Sequence, residues 1–205
     1  RRFEVEGAYV NKTYEQAAQE VYHNEKYMME QYLPGTLFSH FFWPHHIRHN
    51  IFFESMFLED MQRQDAANFA EVGIGTGFYS RTVLENLPQI RGTGYDISEN
   101  SKRYTEKQVG DFGAMDRYEV VLRDVINDPP ENVADWLISV EVLEHLEDPV
   151  AFMRGLRTML RDGGKAFITA ALNAPNPDHI YLYRTGEEVL AQLEEAGFEL
   201  EQYQY

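Results

Sequence analysis

The sequence contains no cysteine and no apolar run long enough to cross a bilayer. Without cysteine, the chain has no disulfide, no thiolate metal ligand and no thiol nucleophile. A membrane-spanning helix takes about 18 or more consecutive apolar residues, and no such run is present. The opening segment RRFEVEGAYV carries acidic residues within a few positions of its start and lacks the apolar centre of a signal peptide. We therefore expect a cytoplasmic protein.

Basic residues are scarce in this chain. Lys and Arg number 18 against 34 Asp and Glu, which gives a formal net charge of −16. Nucleic acids and anionic membranes are bound by clustered basic residues, whereas the Lys and Arg here are scattered. We therefore expect neither as a partner. A hydrophobic fraction of 43% over 205 residues suffices for one α/β domain with a modest extension.

Residues 1–64 and 65–205 differ in pattern, so we place a domain boundary between them. The first region is rich in aromatic residues, Met and His, and its apolar residues recur at helical spacing. Pro34-Gly35 predicts a break in the first helix. Pro44 predicts the start of a second helix that ends near Asp60. The region therefore predicts an N-terminal helical cap.

Residues 65–205 alternate short apolar runs with helix-like stretches. Such alternation predicts a mostly parallel sheet with helices on both faces. Asp162-Gly163-Gly164 predicts the turn before the fifth strand, and FELEQYQY (198–205) predicts a final strand. The first five predicted strands span 68–73, 92–97, 118–125, 134–142 and 165–172, and the predicted helices span 78–86, 98–109, 148–160 and 185–196.

The loop after the first strand, EVGIGTG (71–77), is the most informative stretch. Glycines allow a tight turn and close approach of a ligand, and the next helix starts with free N–H groups. Phe78 stands where a dinucleotide fingerprint has its third small residue. Taken alone, the loop also fits an ordinary turn between a strand and a helix that binds no ligand. Asp96 and Asp124 end the next two strands, at the edge where open α/β sheets bind ligands, although each also fits a cap or turn.

With these motifs on one chain, the sequence resembles the class I S-adenosylmethionine-dependent methyltransferases, in particular the small-molecule enzymes of the ubiquinone-biosynthesis type. The resemblance covers roughly residues 65–205 and rests on EVGIGTG, GYDIS, RDV, ISVEVLEHLEDP and RDGGKAFIT. It implies a Rossmann-like doubly wound α/β fold, S-adenosylmethionine as cofactor and a small-molecule substrate. A homodimer is a candidate assembly. The sheet of this family ends in a hairpin of two strands after the last helix. This sequence predicts only one strand there, so we expect the final strand of the family sheet to be absent.

The resemblance also implies a cofactor-binding set at the ends of the first four strands. The first strand end serves the methionine portion, the second the ribose, the third the adenine and the fourth the sulfonium. In chain order these residues are Glu71, Gly73, Gly75, Gly77, Asp96, Ile97, Asp124, Val125, Glu141 and Val142.

Candidate catalytic residues follow the fourth and fifth strands. Methyl transfer from a sulfonium needs alignment and exclusion of water, and it needs a base only when the nucleophile arrives protonated. His145, His179 and Tyr183 are our candidates for catalysis, and Asn173 and Tyr181 for substrate contact. His145 also fits a residue that packs the start of a helix, and the tyrosines also fit a pocket lining.

The stretch FFWPHHIRHN (41–50) has three interpretations. Its histidines could form a metal site with His40 or Glu54, or pack among the neighbouring aromatic rings. They could also belong to a cap over the sulfonium, because ring faces attract cations. We favour packing or a cap, assign no metal ligand, and place substrate contacts at Trp43, His45 and His49. His45 and His49 share a helix face.

Two other functions stay open at this point. The enzyme could attack another carbon of the sulfonium and transfer or cyclise the aminocarboxypropyl arm, which releases methylthioadenosine. Alternatively, the chain could be a cofactor-binding regulatory domain without catalysis.

Overall fold

The computed structural model describes residues 7–9 and 13–205. Part of the predicted cap, at 1–6 and 10–12, lies outside the described residues. Within the described range the cap consists of helices α1, α2 and α3. Helix α1 is Tyr14–Glu20, α2 comprises Glu25–Tyr27, the π-helical segment Met28–Tyr32 and Leu33–Phe42, and α3 comprises Pro44–Phe52, the π-helical segment Phe53–Leu58 and Glu59–Arg63.

The predicted break at Pro34-Gly35 is wrong. Pro34 lies in the first turn of the α-helical part Leu33–Phe42, directly after the π-helical segment, where a missing N–H is tolerated. The chain breaks instead at Trp43, whose backbone is extended. Helix α3 then begins at Pro44, as predicted.

Five parallel strands form one sheet in the order β3-β2-β1-β4-β5, which confirms the predicted doubly wound fold. The order reverses between β1 and β4, and open α/β sheets bind ligands at the carboxyl ends of strands at such a point. The strands are β1 Asn68–Val72, β2 Arg91–Asp96, β3 Tyr118–Leu122, β4 Ala134–Ser139 and β5 Leu160–Ile168. The helices of this domain are α4 Phe78–Asn86, α5 Glu99–Asp111, α6 Pro149–Met159 and α7 Gly186–Glu195.

Helices cover both faces of the sheet. Successive side chains of a strand point to opposite faces, and β4 shows this clearly. Ile138 belongs to a core that includes Phe53 and Phe57 of the cap. Its neighbour Leu137 belongs to the opposite core, with Met153 of α6. The cap is therefore packed onto one face of the sheet.

The turn predicted at Asp162-Gly163-Gly164 lies inside β5. Leu160 pairs with Ala134, but Lys165 already pairs with Trp136, so the register shifts between these two pairs. The residues between them bulge, with Gly163 at a φ of 75°. The edge strand therefore starts earlier than predicted.

The predicted final strand is wrong. No strand is described over 198–205, and β5 is an edge of the described sheet. Every side chain from 199 to 205 is exposed, so this segment buries no face that would fix it against β5. It is held by the Tyr205 ring against Gly186 and by a Lys165–Glu201 ion pair of 2.9 Å. In the described ranges, no helix is long and apolar enough to span a membrane.

Candidate active site

The glycine loop between β1 and α4 packs against the loop that follows β4. Gly73, Gly75 and Gly77 have positive φ angles of 75°, 48° and 73°, a region that other residues rarely adopt. A Cβ on Gly73 would lie 2.3 Å from Val142 Cγ2, so no larger residue fits there. At Gly75, by contrast, no atom lies within 4 Å of where a Cβ would be. A ligand can therefore approach the backbone at Gly75.

Asp96 ends β2 beside this loop. Its carboxylate accepts hydrogen bonds from the N–H of Ser98 at 2.8 Å and of Gly75 at 3.4 Å. Burial raises the pKa of Asp96 to about 6, although these N–H groups act against the rise. The next side chain, Ile97, is 54% exposed and lines the cleft. A carboxylate beside an exposed apolar side chain fits a ribose and the face of a base.

Asp124 and Val125 follow β3 and line the same cleft. Asp124 closes its own turn, because its oxygens accept from the N–H of Ile126 at 2.9 Å and the amide of Asn127 at 2.7 Å. Each carboxylate oxygen has two acceptor sites, so a ligand amino group can still bind. Asp124 lies in the loop because β3 ends at Leu122, earlier than predicted.

Glu71 borders the cleft, but its carboxylate is already occupied. It accepts from the N–H of Ser80 at 2.7 Å and from the Ser80 hydroxyl, which also contacts the Tyr118 hydroxyl. Burial raises the pKa of Glu71 to about 8, against the two hydrogen bonds. Glu71 therefore ties α4 to β1 and holds the glycine loop in place.

The raised pKa of Glu71 makes stability depend on pH. Between pH 4.5 and 8 the folded chain keeps a proton on Glu71 that the unfolded chain releases, so the free energy of unfolding falls as pH rises through this window. We expect Glu71→Gln, which mimics the protonated side chain, to flatten this dependence and to change stability little at pH 5. Urea unfolding at several pH values measures this. An unchanged pH dependence in Glu71→Gln would contradict the assignment.

Glu141 joins the end of β4 to the cap. Its backbone is left-handed, with a φ of 51°, and its N–H donates to Thr169 Oγ1 at 3.0 Å. One carboxylate oxygen lies 3.1 Å from His46 Nε2 and the other 3.9 Å from His49 Nδ1. Burial would raise the pKa of Glu141, but the hydrogen bond and charge of His46, with His49 and His45, lower it to about 2.

The cap also contacts the start of α4. The ring of His40 stacks on Phe78, with centroids 4.1 Å apart and planes 2° from parallel. Phe78 is the residue that departs from the dinucleotide fingerprint. Its side chain packs against the cap. In the histidine-rich stretch, Trp43, His45 and His49 line the cleft, and the buried His46 contacts Glu141 after β4. Helical spacing did not identify His46 as the histidine that contacts Glu141, because both faces of α3 carry histidine.

His145 and His179 also line the cleft. His145 Nδ1 is 3.2 Å from the Tyr22 hydroxyl and 3.1 Å from the Asp178 carbonyl oxygen. His179 Nδ1 is 2.6 Å from the Ala174 carbonyl oxygen. Burial lowers the pKa of His179 to about 4, and the charge of His145 acts in the same direction. Burial acts most strongly on the pKa of His145 and would lower it, but the charges of Asp178, Glu144 and Glu141 and the bond to the Asp178 carbonyl oxygen together raise the value.

Some predicted site residues do not reach the cleft. Tyr183 is fully buried, and its hydroxyl donates to Gln192 at 2.6 Å. The Tyr181 hydroxyl accepts from the same Gln192 side chain at 2.7 Å. Asn173 donates to the Arg184 carbonyl oxygen at 2.7 Å, and Gly77 caps α4. These four residues are absent from the cleft lining and instead support the loops that form it.

Sequence reasoning missed Asp178, which together with Glu144 forms a buried polar group next to the histidines. Glu144 and Asp178 are both fully buried, and the hydroxyls of Tyr22 and Tyr32 donate to Asp178. The position of Glu144 and Asp178 beside His145 and His179 in the chain was a usable signal. The two tyrosines carry no such signal, because they come from the distant cap.

The sheet order, the glycine loop and the acidic strand ends define a nucleotide-cofactor-binding α/β domain. Residues 70–166 match the family described as "Methyltransferase domain". The chain is 28% identical over 99 residues to a ubiquinone biosynthesis O-methyltransferase of Idiomarina loihiensis, over 48% of this chain and 40% of that protein. It is 30% identical over 103 residues to malonyl-[acyl-carrier protein] O-methyltransferase 1 of Ilyobacter polytropus, over 50% and 37% respectively.

The fold agrees with these matches. A solved S-adenosylmethionine-dependent methyltransferase from Aquifex aeolicus superposes with a TM-score of 0.56 at 20% identity, over 74% of this chain and 84% of that one. The match over residues 70–166 and the curated relatives thus confirm the predicted resemblance to S-adenosylmethionine-dependent methyltransferases and the cofactor that it implies, and the solved structure agrees in fold. The chain spans less than half the length of the two curated relatives. The open approach to Gly75 and the exposed Ile97 beside Asp96 fit this cofactor.

Proposed function

We propose that the chain catalyses methyl transfer from S-adenosylmethionine to an oxygen atom of a small molecule. The main support is that residues 70–166, which match the family, also supply the strand ends around the cleft. Both curated relatives are named as O-methyltransferases. Bound S-adenosylmethionine supplies an electrophilic methyl group, and the chain has to align an acceptor with it and exclude water.

The cap and the two cleft histidines receive the acceptor in this proposal. The described part of the predicted cap packs onto the domain 65–205, and Trp43 lines the cleft with an aromatic ring, to which a cation is attracted. His145 and His179, which line the same cleft, hold the acceptor hydroxyl. A cytoplasmic location, a homodimer and the lack of nucleic-acid or membrane partners stay predictions.

The mass of the nucleoside product tests this function. The chain is incubated with S-adenosylmethionine and with hydroxylated aromatic and carboxylic acid acceptors. We expect S-adenosylhomocysteine and an acceptor heavier by one methylene unit. Methylthioadenosine would assign the reaction to the aminocarboxypropyl arm. Tight binding without any product would favour a regulatory domain.

A further inference from the structure

A short segment of the cap is attached to the domain 65–205 on both sides of β1. We call residues 14–24, which comprise helix α1 and the turn after it, the strap. At its start, the N–H of Tyr14 donates to Glu147 Oε1 at 2.8 Å, in the loop after β4. Near its end, the Tyr22 carbonyl oxygen accepts from the side-chain amide of Asn100 at 3.4 Å, in the first turn of α5 after β2. Because β1 lies between β2 and β4 in the sheet, the strap crosses the end of β1.

The length of the strap fits this crossing. Neighbouring strands lie about 4.8 Å apart, so β2 and β4 are separated by about 10 Å. Helix α1 has seven residues, and at about 1.5 Å per residue it is about 10 Å long. The end of β1 carries the glycine loop, where the backbone at Gly75 is open to a ligand. A ligand bound between Gly75 and Asp96 therefore lies beneath the strap.

The side chain of Tyr14 borders this position. It lines the cleft together with Asp96, and the residue is 37% exposed. Its ring stacks on that of Tyr22, with centroids 6.0 Å apart and planes 18° from parallel. Burial raises the pKa of Tyr14, and the charge of Asp96 acts in the same direction, so the Tyr14 hydroxyl is within electrostatic reach of that carboxylate. Since the Tyr22 hydroxyl is 3.2 Å from His145 Nδ1, the two stacked rings extend from Asp96 toward His145.

The contacts that anchor the strap are weak ones. The bond from Tyr14 to Glu147 is exposed, and the ion pair of Glu25, directly after the strap, with Arg103 is at least half exposed on both sides. Exposed pairs of this kind stabilise little. The apolar residue Val21 belongs to a small cluster of the cap that is separate from the two cores of the sheet. Segments of this kind open at a low cost in free energy, and ligand-binding lids are drawn from them.

We infer that Tyr14 is a cofactor-binding residue and that the strap closes over S-adenosylmethionine bound at the glycine loop. A ligand that contacts the closed strap and not the open one shifts the equilibrium toward closure. The faces of the stacked rings suit this ligand, because aromatic faces attract a cation such as the sulfonium. The closed strap also slows release, because its bonds to Glu147 and Asn100 have to break before the cofactor leaves. This inference rests on the cofactor of the proposed function and is independent of the acceptor.

Hydrogen–deuterium exchange of the full 205-residue chain tests the closure. The exchange of residues 14–24 is compared with and without saturating S-adenosylmethionine. We expect the cofactor to slow exchange there about tenfold or more, because closure protects the N–H groups of α1. Helix α7, Gly186–Glu195, is the internal reference and keeps its exchange rate. Equal exchange of the strap in both states, in a chain that binds the cofactor by calorimetric titration, would overturn the inference.

The dissociation rate of the cofactor tests Tyr14 itself. Trp43 lines the cleft, so its fluorescence reports cofactor release in a stopped-flow experiment. We expect Tyr14→Ala to release S-adenosylmethionine about tenfold faster than the unmodified chain, while one molecule still binds per chain. Glu147→Ala, which removes an anchor of the strap, should also speed release. If Tyr14 only supported folding, Tyr14→Ala would lower the number of binding sites and leave the dissociation rate unchanged, which would overturn the inference.

Tyr203→Ala is the matched control, because Tyr203 is an exposed tyrosine of the segment 199–205 and lies outside the strap. We expect this variant to release the cofactor at the rate of the unmodified chain. Equal dissociation rates of Tyr14→Ala and Tyr203→Ala would show that Tyr14 does not contact the cofactor. Binding of S-adenosylmethionine without any effect of the strap would reject this inference alone and leave the proposed function standing. A chain that binds no S-adenosylmethionine would contradict the proposed function as well.

Discussion

Replacing Asp96 with Ala weakens the binding of S-adenosylmethionine about 100-fold, and Asp96→Asn weakens it about tenfold. Hydrogen bonds to a charged group contribute about 1.5–3 kcal/mol, and each 1.4 kcal/mol is a factor of about ten in affinity. An Asn side chain keeps one oxygen that accepts from the Ser98 N–H. It loses the negative charge and the second oxygen that would accept from a ribose hydroxyl. Calorimetric titration of the folded variants with S-adenosylmethionine measures both effects.

An acidic residue outside the cleft serves as the control for Asp96. Asp111 is exposed at the end of α5, where it pairs with Lys107. We expect Asp111→Ala to bind the cofactor as the unmodified chain does. Equal affinities of Asp96→Ala and Asp111→Ala would show that Asp96 does not contact the cofactor.

Gly73→Ala lowers the free energy of unfolding by about 2–5 kcal/mol. The positive φ of 75° costs an Ala residue about 1–2 kcal/mol, and overpacking against Val142 costs about 1–3 kcal/mol more. The added Cβ would lie 2.3 Å from Val142 in the loop after β4, so the substitution also pushes apart the glycine loop and that loop, which are two walls of the cleft. Urea unfolding measures the loss of stability.

Gly113→Ala separates the two contributions at Gly73. Gly113 has almost the same φ, 74°, but no atom lies within 4 Å of where its Cβ would be. We expect Gly113→Ala to lose only the backbone part, about 1–2 kcal/mol. In a Gly73→Ala/Val142→Ala double variant, the steric part should be recovered. If Gly73→Ala lowers the free energy of unfolding no more than Gly113→Ala does, the close packing of the two loops does not contribute to stability.

Local sequence patterns predicted the α/β domain because its elements are regular. Alternating apolar runs and helical stretches fix the parallel sheet, and the glycine loop fixes which strand is central. The sequence predictions fail where contacts with other parts of the fold determine the local structure. Pro34 is accommodated by a π-helical segment, which no local pattern marks. The Asp162-Gly163-Gly164 turn becomes a bulge because Leu160 already pairs with β4.

The part of the candidate site that lies at the strand ends was predictable from the sequence. Asp96 and Asp124 were placed by topology alone, because carboxyl ends of parallel strands meet at one edge. The directions of Glu71 and Tyr183 were not predictable, because each depends on a partner elsewhere in the fold, Ser80 for one and Gln192 for the other. The buried polar group around Glu144 and Asp178 is formed by loops after two strands and by tyrosines of the cap, which only packing brings together.

The fate of a labelled methyl group tests the central claim most directly. S-adenosylmethionine carrying carbon-13 in its methyl group is incubated with the chain and an oxygen acceptor, and the label is followed by NMR. We predict that the sulfonium methyl signal is replaced by an O-methyl signal on the acceptor. A label that remains on sulfur, as a methylthio group, would contradict methyl transfer at this site.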